Sequence, residues 1–350
     1  MPDAPKVRAT FHATTDPVGP TMPPARRAFL DGLIDYAGLF PPAELAMEPA
    51  VALYGRYRTD ADAWMLGRFL VTAVRLAEAD PFVAGIAGDE AVRFSVLGAA
   101  PAAVQFAPGA EAAPSAPDVT WLMAAEAAVG EARAFEARHE GRAVCDAFEF
   151  RLPAPLARDA DGLAGALVGL GQRLAADPAH AADRVAVEVP FLSDPDTPEP
   201  AAHAVAVANG RLGRAAFAVK FRCGGEGVPG AEALAEAMTV ARRAGVAFKA
   251  TAGLHHPLRH ETLAGPVAHG FVNVFGGAVL ADVHGLRADD LAEILDSRDA
   301  AEWSLGDTLA WKRLVARPEQ IETARSRTAL AYGSCSFDEP RADLRALGWL

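Results

Sequence analysis

Two lysines, Lys220 and Lys249, each sit inside a short apolar run, Phe217-Ala-Val-Lys-Phe-Arg222 and Val246-Ala-Phe-Lys-Ala-Thr251. A neutral lysine amine is a nucleophile that forms a Schiff base with a carbonyl carbon. Burial and a second cation nearby both disfavour the protonated amine, so paired buried lysines favour that chemistry. A carboxylate beside them, Glu149 or Glu188, would move protons during carbon–carbon cleavage or enolisation, and would also pull the amine pKa back up. The plainer reading of Lys220 is a cation that only binds a substrate carboxylate.

Strand parity brings further charges to the same place, because alternate side chains on a strand share a face. In the Lys220 run the odd positions Phe217, Val219 and Phe221 are apolar, so Lys220 and Arg222 point the other way. Elsewhere Phe148 and Phe150 oppose Glu149 and Arg151, and Val185, Val187 and Val189 oppose Glu188. Phe248 opposes Lys249 and Thr251, and Met65 and Phe69 oppose Arg68. Asp35 and Asn273 fall late in two more runs. The proposed ring holds five cations (Arg68, Arg151, Lys220, Arg222, Lys249) and three carboxylates (Asp35, Glu149, Glu188), a positive excess that suits a small anionic substrate. The bland alternative is a structural salt-bridge network.

Histidines offer a different chemistry. His255, His256, His260 and His269 cluster after the Lys249 run and, with Glu149 and Glu188, would suit a divalent metal. No His-x-His or His-Glu-x-x-His spacing supports that, so His255 as a lone acid/base is favoured, with no metal and no cofactor. Asp35 contacts substrate or shapes the turn before Pro41 and Pro42. Cys335 has no base beside it in sequence and is set aside as a nucleophile.

The elements that must position these residues alternate strand and helix. Strand-like runs occur at Leu33–Ala37, Trp64–Val71, Arg93–Gly98, Ala147–Leu152, Val185–Val189, Phe217–Arg222, Val246–Thr251 and Gly270–Phe275, with alanine-rich helical patterns between most of them. Eight such units predict an α/β fold, a single (β/α)8 TIM-type barrel, whose chemistry belongs at the C-terminal ends of the strands. No Gly-x-Gly-x-x-Gly follows the first run, which argues against a doubly wound sheet. The expected organisation is a flexible N-terminal arm over residues 1–28, a barrel over 29–297, and a C-terminal helical extension over 298–350 packed on the barrel. A long insertion is expected between the third and fourth strands, at Ala99–Pro117.

The stretch Val219-Lys-Phe-Arg-Cys-Gly-Gly225, the helix from Ala231, and Phe248-Lys-Ala-Thr-Ala-Gly-Leu254 resemble the paired-lysine region of deoxyribose-phosphate aldolases and related class I aldolases. The resemblance covers Ala215–Leu280. It implies a Schiff-base lysine at Lys220 on the sixth strand and a helper at Lys249 on the seventh. It also makes Phe275-Gly-Gly-Ala278 similar to that family's phosphate-binding turn, with the Gly276 and Gly277 amides cradling an anion.

Composition narrows the rest. A net charge of −12 argues against nucleic acid and against an acidic membrane face as partners. Three scattered cysteines, Cys145, Cys223 and Cys335, suit a reducing compartment, and with no apolar leader or span in view a cytoplasmic protein is expected. A homo-oligomer is compatible with the sequence. Three functions follow: a lyase or isomerase acting on a small anionic carbonyl compound in aldolase fashion, a metal-dependent lyase or hydrolase using Glu and His ligands, or a non-catalytic barrel that binds a small anion.

Overall fold

The computed structural model describes residues 22–98, 117–180, 183–225, 227–262 and 267–350. Eight parallel strands close a barrel: β1 (Ile34–Tyr36), β2 (Leu66–Thr72), β3 (Val92–Leu97), β4 (Ala143–Arg151), β5 (Arg184–Glu188), β6 (Phe217–Arg222), β7 (Phe248–Thr251) and β8 (Ala329–Ser334). β8 pairs with both β7 and β1, which completes the ring. The expected α/β barrel is therefore present.

Outward faces carry the large apolar side chains. Phe69, Phe94, Phe148, Phe221, Phe248 and Tyr332 are all almost wholly buried between the strands and the surrounding helices. The helices are α1 (Pro24–Leu30), α2 (Met47–Arg58), α3 (Leu76–Ile86), α4 (Pro117–His139), α5 (Ala154–Arg158), α6 (Ala160–Ala175), α7 (Pro198–Leu212), α8 (Ala231–Arg243), α9 (Phe271–His284), α10 (Ala288–Asp296), α11 (Pro318–Arg327) and α12 (Asp338–Ala346). On α6, Leu163, Leu167 and Leu170 form the buried stripe that helical spacing predicts.

Three expectations about organisation change. The run Gly270–Phe275 is not a strand; it opens α9, a helix buried on nearly every side. A continuous apolar run reads equally as a buried strand or a buried helix. Here the run continues through Leu280, and Gly285 at φ +65° ends it as a left-handed C-cap. The eighth strand is Ala329–Ser334 instead, so the barrel extends past residue 297. Residues 298–350 are thus not a purely helical extension. They supply β8 and a three-stranded antiparallel sheet (Trp303–Leu305, Leu309–Trp311, Leu314–Ala316) as well as α11 and α12. At the other end, α1 begins at Pro24, inside the stretch expected to be an arm. Residues 1–21 and most of the expected insertion, 99–116, lie outside the described residues.

No described helix is long and apolar enough to cross a membrane.

Candidate active site

Glu188 on β5, Lys220 on β6 and Lys249 on β7 are direct register neighbours, so parity alone stacks them side by side on the inner face. β4 adds Glu149 and β1 adds Asp35. These five charged residues are at most 6% exposed, which forces them to neutralise one another. Lys220 Nζ lies 2.8 Å from Glu149 Oε2 and 3.0 Å from Glu188 Oε2. Lys249 Nζ lies 2.5 Å from both Asp35 Oδ2 and Glu149 Oε1. Glu149 therefore stands between the lysines, one oxygen toward each.

Ser95 on β3 donates from Oγ to Glu149 Oε1 at 2.8 Å. The other oxygen, Glu149 Oε2, faces Lys220 Nζ as its close partner. Asp35 accepts from the Arg68 backbone N–H at 2.6 Å. The close approach needs Gly67, because a Cβ there would meet Asp35 Oδ1 at 2.1 Å. Gly67→Ala should displace the Asp35 carboxylate or the β2 backbone and cost about 1–3 kcal/mol, measurable as a lowered urea midpoint; an unchanged midpoint would mean the strands are not this tightly apposed.

The charges of this network shift its pKa values. Burial alone would lower the Lys220 amine, but the Glu149 and Glu188 carboxylates outweigh it and raise the value, so the resting amine is an ammonium. Burial would likewise raise Glu149, yet Lys220 and Lys249 hold it well below the usual carboxylate range. Glu188 is lowered in the same way by Lys220 and Arg222 against its own burial. The balance left open by the sequence, a second cation lowering the Lys220 amine against carboxylates raising it, thus falls to the carboxylates.

These directions set a pH window. The two carboxylates sit below their ordinary 4.5 in the folded state, so their contribution is complete above that value and is lost as pH falls toward the folded values. Lys220 sits above its ordinary 10.5, so its contribution is complete below 10.5 and is lost as pH rises through the folded value. Urea midpoints should therefore be flat through neutrality and fall at both extremes; a peak confined to acid would contradict the arrangement.

Toward the C-terminal mouth, Glu188 Oε1 accepts from Arg222 Nη2 at 3.2 Å and lies 3.8 Å from Arg151 Nε. Arg151 is largely exposed and Arg222 half-buried, so the guanidinium groups flank the rim above Lys220. Beyond β6 and β7 the exit loops touch at Gly224 and Gly253, where a Cβ on Gly224 would stand 2.7 Å from Gly253 Cα.

Other expected site residues lie elsewhere. Arg68 points to the N-terminal half of the barrel and forms a double hydrogen bond with Asp146, at 2.6 and 3.1 Å. Asp146 is the extra residue of a register shift between β3 and β4, which parity could not foresee. Asn273 is wholly buried in α9, accepting from the Arg259 backbone N–H and donating to the Ile294 and Ser297 carbonyls. Gly276 and Gly277 are mid-helix, packed against Trp303, Leu291 and Ile294, so their amides serve the helix and cradle no anion. His255 reaches the rim, where Nδ1 is 3.2 Å from Glu339 and 3.7 Å from Cys335 Sγ.

The remaining histidines are engaged. His256 pairs with Asp343 at 2.5 Å. His269 is buried between the Pro229 carbonyl and Arg259, and burial lowers its pKa to about 4. Among the described residues no group of three His, Cys, Asp or Glu side chains could hold a metal. Ser95, like Asp146, is an inner contact missed from sequence, although its parity against the outward Phe94 and Val96 would have found it.

No family model and no curated protein matches the chain. Among solved structures it is similar to deoxyribose phosphate aldolase from Aeropyrum pernix, described as a tetramer, at 14% identity over 67% of this chain and 86% of that one, with a TM-score of 0.41. It is also similar to a candidate deoxyribose-phosphate aldolase from Toxoplasma gondii ME49, at 13% identity over 92% of this chain and 95% of that one, with a TM-score of 0.43.

Proposed function

We propose that the barrel interior is the active site of an aldolase-like lyase acting on a small anionic carbonyl compound, with Lys220 as the Schiff-base nucleophile. The observation that carries the reading is the choice of lysine. The chain has four lysines against 29 arginines, and two of the four stand inside the barrel sharing one carboxylate. A purely structural ion pair would accept arginine, which this chain uses nearly everywhere else, but a guanidinium cannot form an imine.

The resting ammonium must first lose its proton. Glu149 Oε2 at 2.8 Å and Glu188 Oε2 at 3.0 Å are both in reach; Glu149, the nearer, takes the role of acceptor here, with Lys249 offsetting whatever charge it retains. The neutral amine adds to the carbonyl carbon, and the resulting hydroxyl leaves as water with the proton held on Glu149, which yields the iminium. Cleavage of the adjacent carbon–carbon bond sends its electron pair toward the iminium nitrogen while the β-hydroxyl loses its proton to a carboxylate or water. Arg151 and Arg222 at the rim suit the substrate's carboxylate or phosphate. Assembly with further copies of the chain is compatible with this reading.

The non-catalytic alternative draws on one observation: every lysine and carboxylate in the network already has a partner. The two readings separate in a cleavage screen of short β-hydroxy aldehydes, ketones and keto acids, with and without an acidic group. Release of a small aldehyde from the anionic members, with KM raised about tenfold or more in Arg222→Ala, supports the lyase. No cleavage across the panel favours the structural network.

A further inference from the structure

Beneath the lysine network, on the N-terminal side, the barrel interior is not filled. Bulky branched residues usually pack that layer of an eight-stranded barrel. Here the inner positions are Ala147, Ala186, Ala218 and Ala331, and those on β4, β5 and β6 stand two residues below Glu149, Glu188 and Lys220 on the same face. The result is a cavity of about 240 Å³ that runs from Asp35, Glu149 and Lys249 down to the strand starts at Arg184 and Leu330. A water takes up about 30 Å³ of liquid, so the space exceeds a few ordered waters.

Its charges do not balance. Asp35 and Glu149 are held by Lys249, Asp31 by Arg27, and Arg68 by Asp146. Two cations on the wall form no close ion pair among the described residues. Arg184, the first residue of β5, is exposed and forms no ion pair there. Arg325 of α11 donates only to backbone carbonyls: Phe29 O at 3.0 Å, Asp31 O at 3.2 Å, and those of Ala329 and Leu330. Desolvation lowers its pKa to about 10, because the Asp31 and Asp35 carboxylates nearby offset only part of the cost of its burial.

We infer that this N-terminal cavity is a second binding site, distinct from the C-terminal mouth, for a small oxyanion held by Arg184 and Arg325 over the alanine layer. A phosphate or a short carboxylate has the size and charge required. The cavity shares Asp35, Glu149 and Lys249 with the lysine network, but neither arginine belongs to that network, so anion binding here stands or falls separately from imine formation at Lys220.

The test is calorimetric titration of the full chain with inorganic phosphate and, separately, malonate, at constant ionic strength with chloride as the balancing anion. Saturable binding is expected, weakened about tenfold or more in Arg184→Ala and in Ala218→Leu, which fills the cavity, and retained in Arg222→Ala at the mouth. Phosphate binding without malonate binding assigns phosphate, and the reverse assigns the carboxylate. Arg184 is on the surface, so its variant reports even where the Leu substitution prevents folding. Binding that is absent in the unaltered protein, unchanged in Arg184→Ala, or abolished only by Arg222→Ala overturns the proposal.

Discussion

Lys220→Arg is expected to reduce cleavage of the best substrate on the order of 10^4-fold while leaving a folded barrel. Arginine keeps the positive charge between Glu149 and Glu188, so the electrostatics that hold the strands together survive. What it loses is an amine able to become a nucleophile. Lys249→Arg preserves the cation beside Glu149 and should cost far less, about 10- to 100-fold, through misplacement of the shared carboxylate. Steady-state kinetics on both variants, with circular dichroism to verify folding, gives the comparison. Equal and mild losses would mean that the lysines bind substrate without reacting with it.

Glu149→Gln should produce the largest loss of stability of any single change in the site, about 3–5 kcal/mol. The amide matches the carboxylate in shape but removes the negative charge that both lysines share. Asp35 and Glu188 then remain, among the described residues, as the carboxylates paired with the two buried lysines, with Glu188 also engaged by Arg222. The same substitution removes the proton acceptor, so activity falls with stability. An unfolding free energy from urea titration within about 0.5 kcal/mol of the unaltered protein would show that Glu149 is not the hub of the network.

Most of what positions the site was legible because strands alternate. Lys220, Lys249, Glu149, Glu188 and Arg222 each stand opposite an outward aromatic or valine, and the structure gathers all five on the inner face. Asp35 was legible as a late charge on a short strand, though not as a partner of Lys249 from across the ring. Searching for late charges favours strands that carry them, and Ala329-Leu-Ala-Tyr-Gly-Ser334 carries none, so β8 went unseen. Gly270–Phe275 was taken for it because a fully buried helix has no polar face to reveal its period. Arg68 has inward parity, but parity does not say how far along the barrel a residue sits, and its partner Asp146 lies toward the N-terminal end.

The pKa of Lys220 was open for a different reason. Its sign depends on distances between strands, and only the 2.8 and 3.0 Å contacts to two carboxylates decide it. Lys220 is therefore protonated at rest, and on the proposed reading imine formation should accelerate with rising pH as it deprotonates.

The most direct measurement is borohydride reduction of the full chain in the presence of a small aldehyde or keto acid, followed by peptide mass mapping. With Lys6, Lys249 and Lys312 as internal competitors, the account predicts a reduced adduct on Lys220, absent in Lys220→Arg and formed faster as pH is raised. An adduct confined to Lys312, which is half-exposed, or spread over the other amines with Lys220 unmodified, would contradict it.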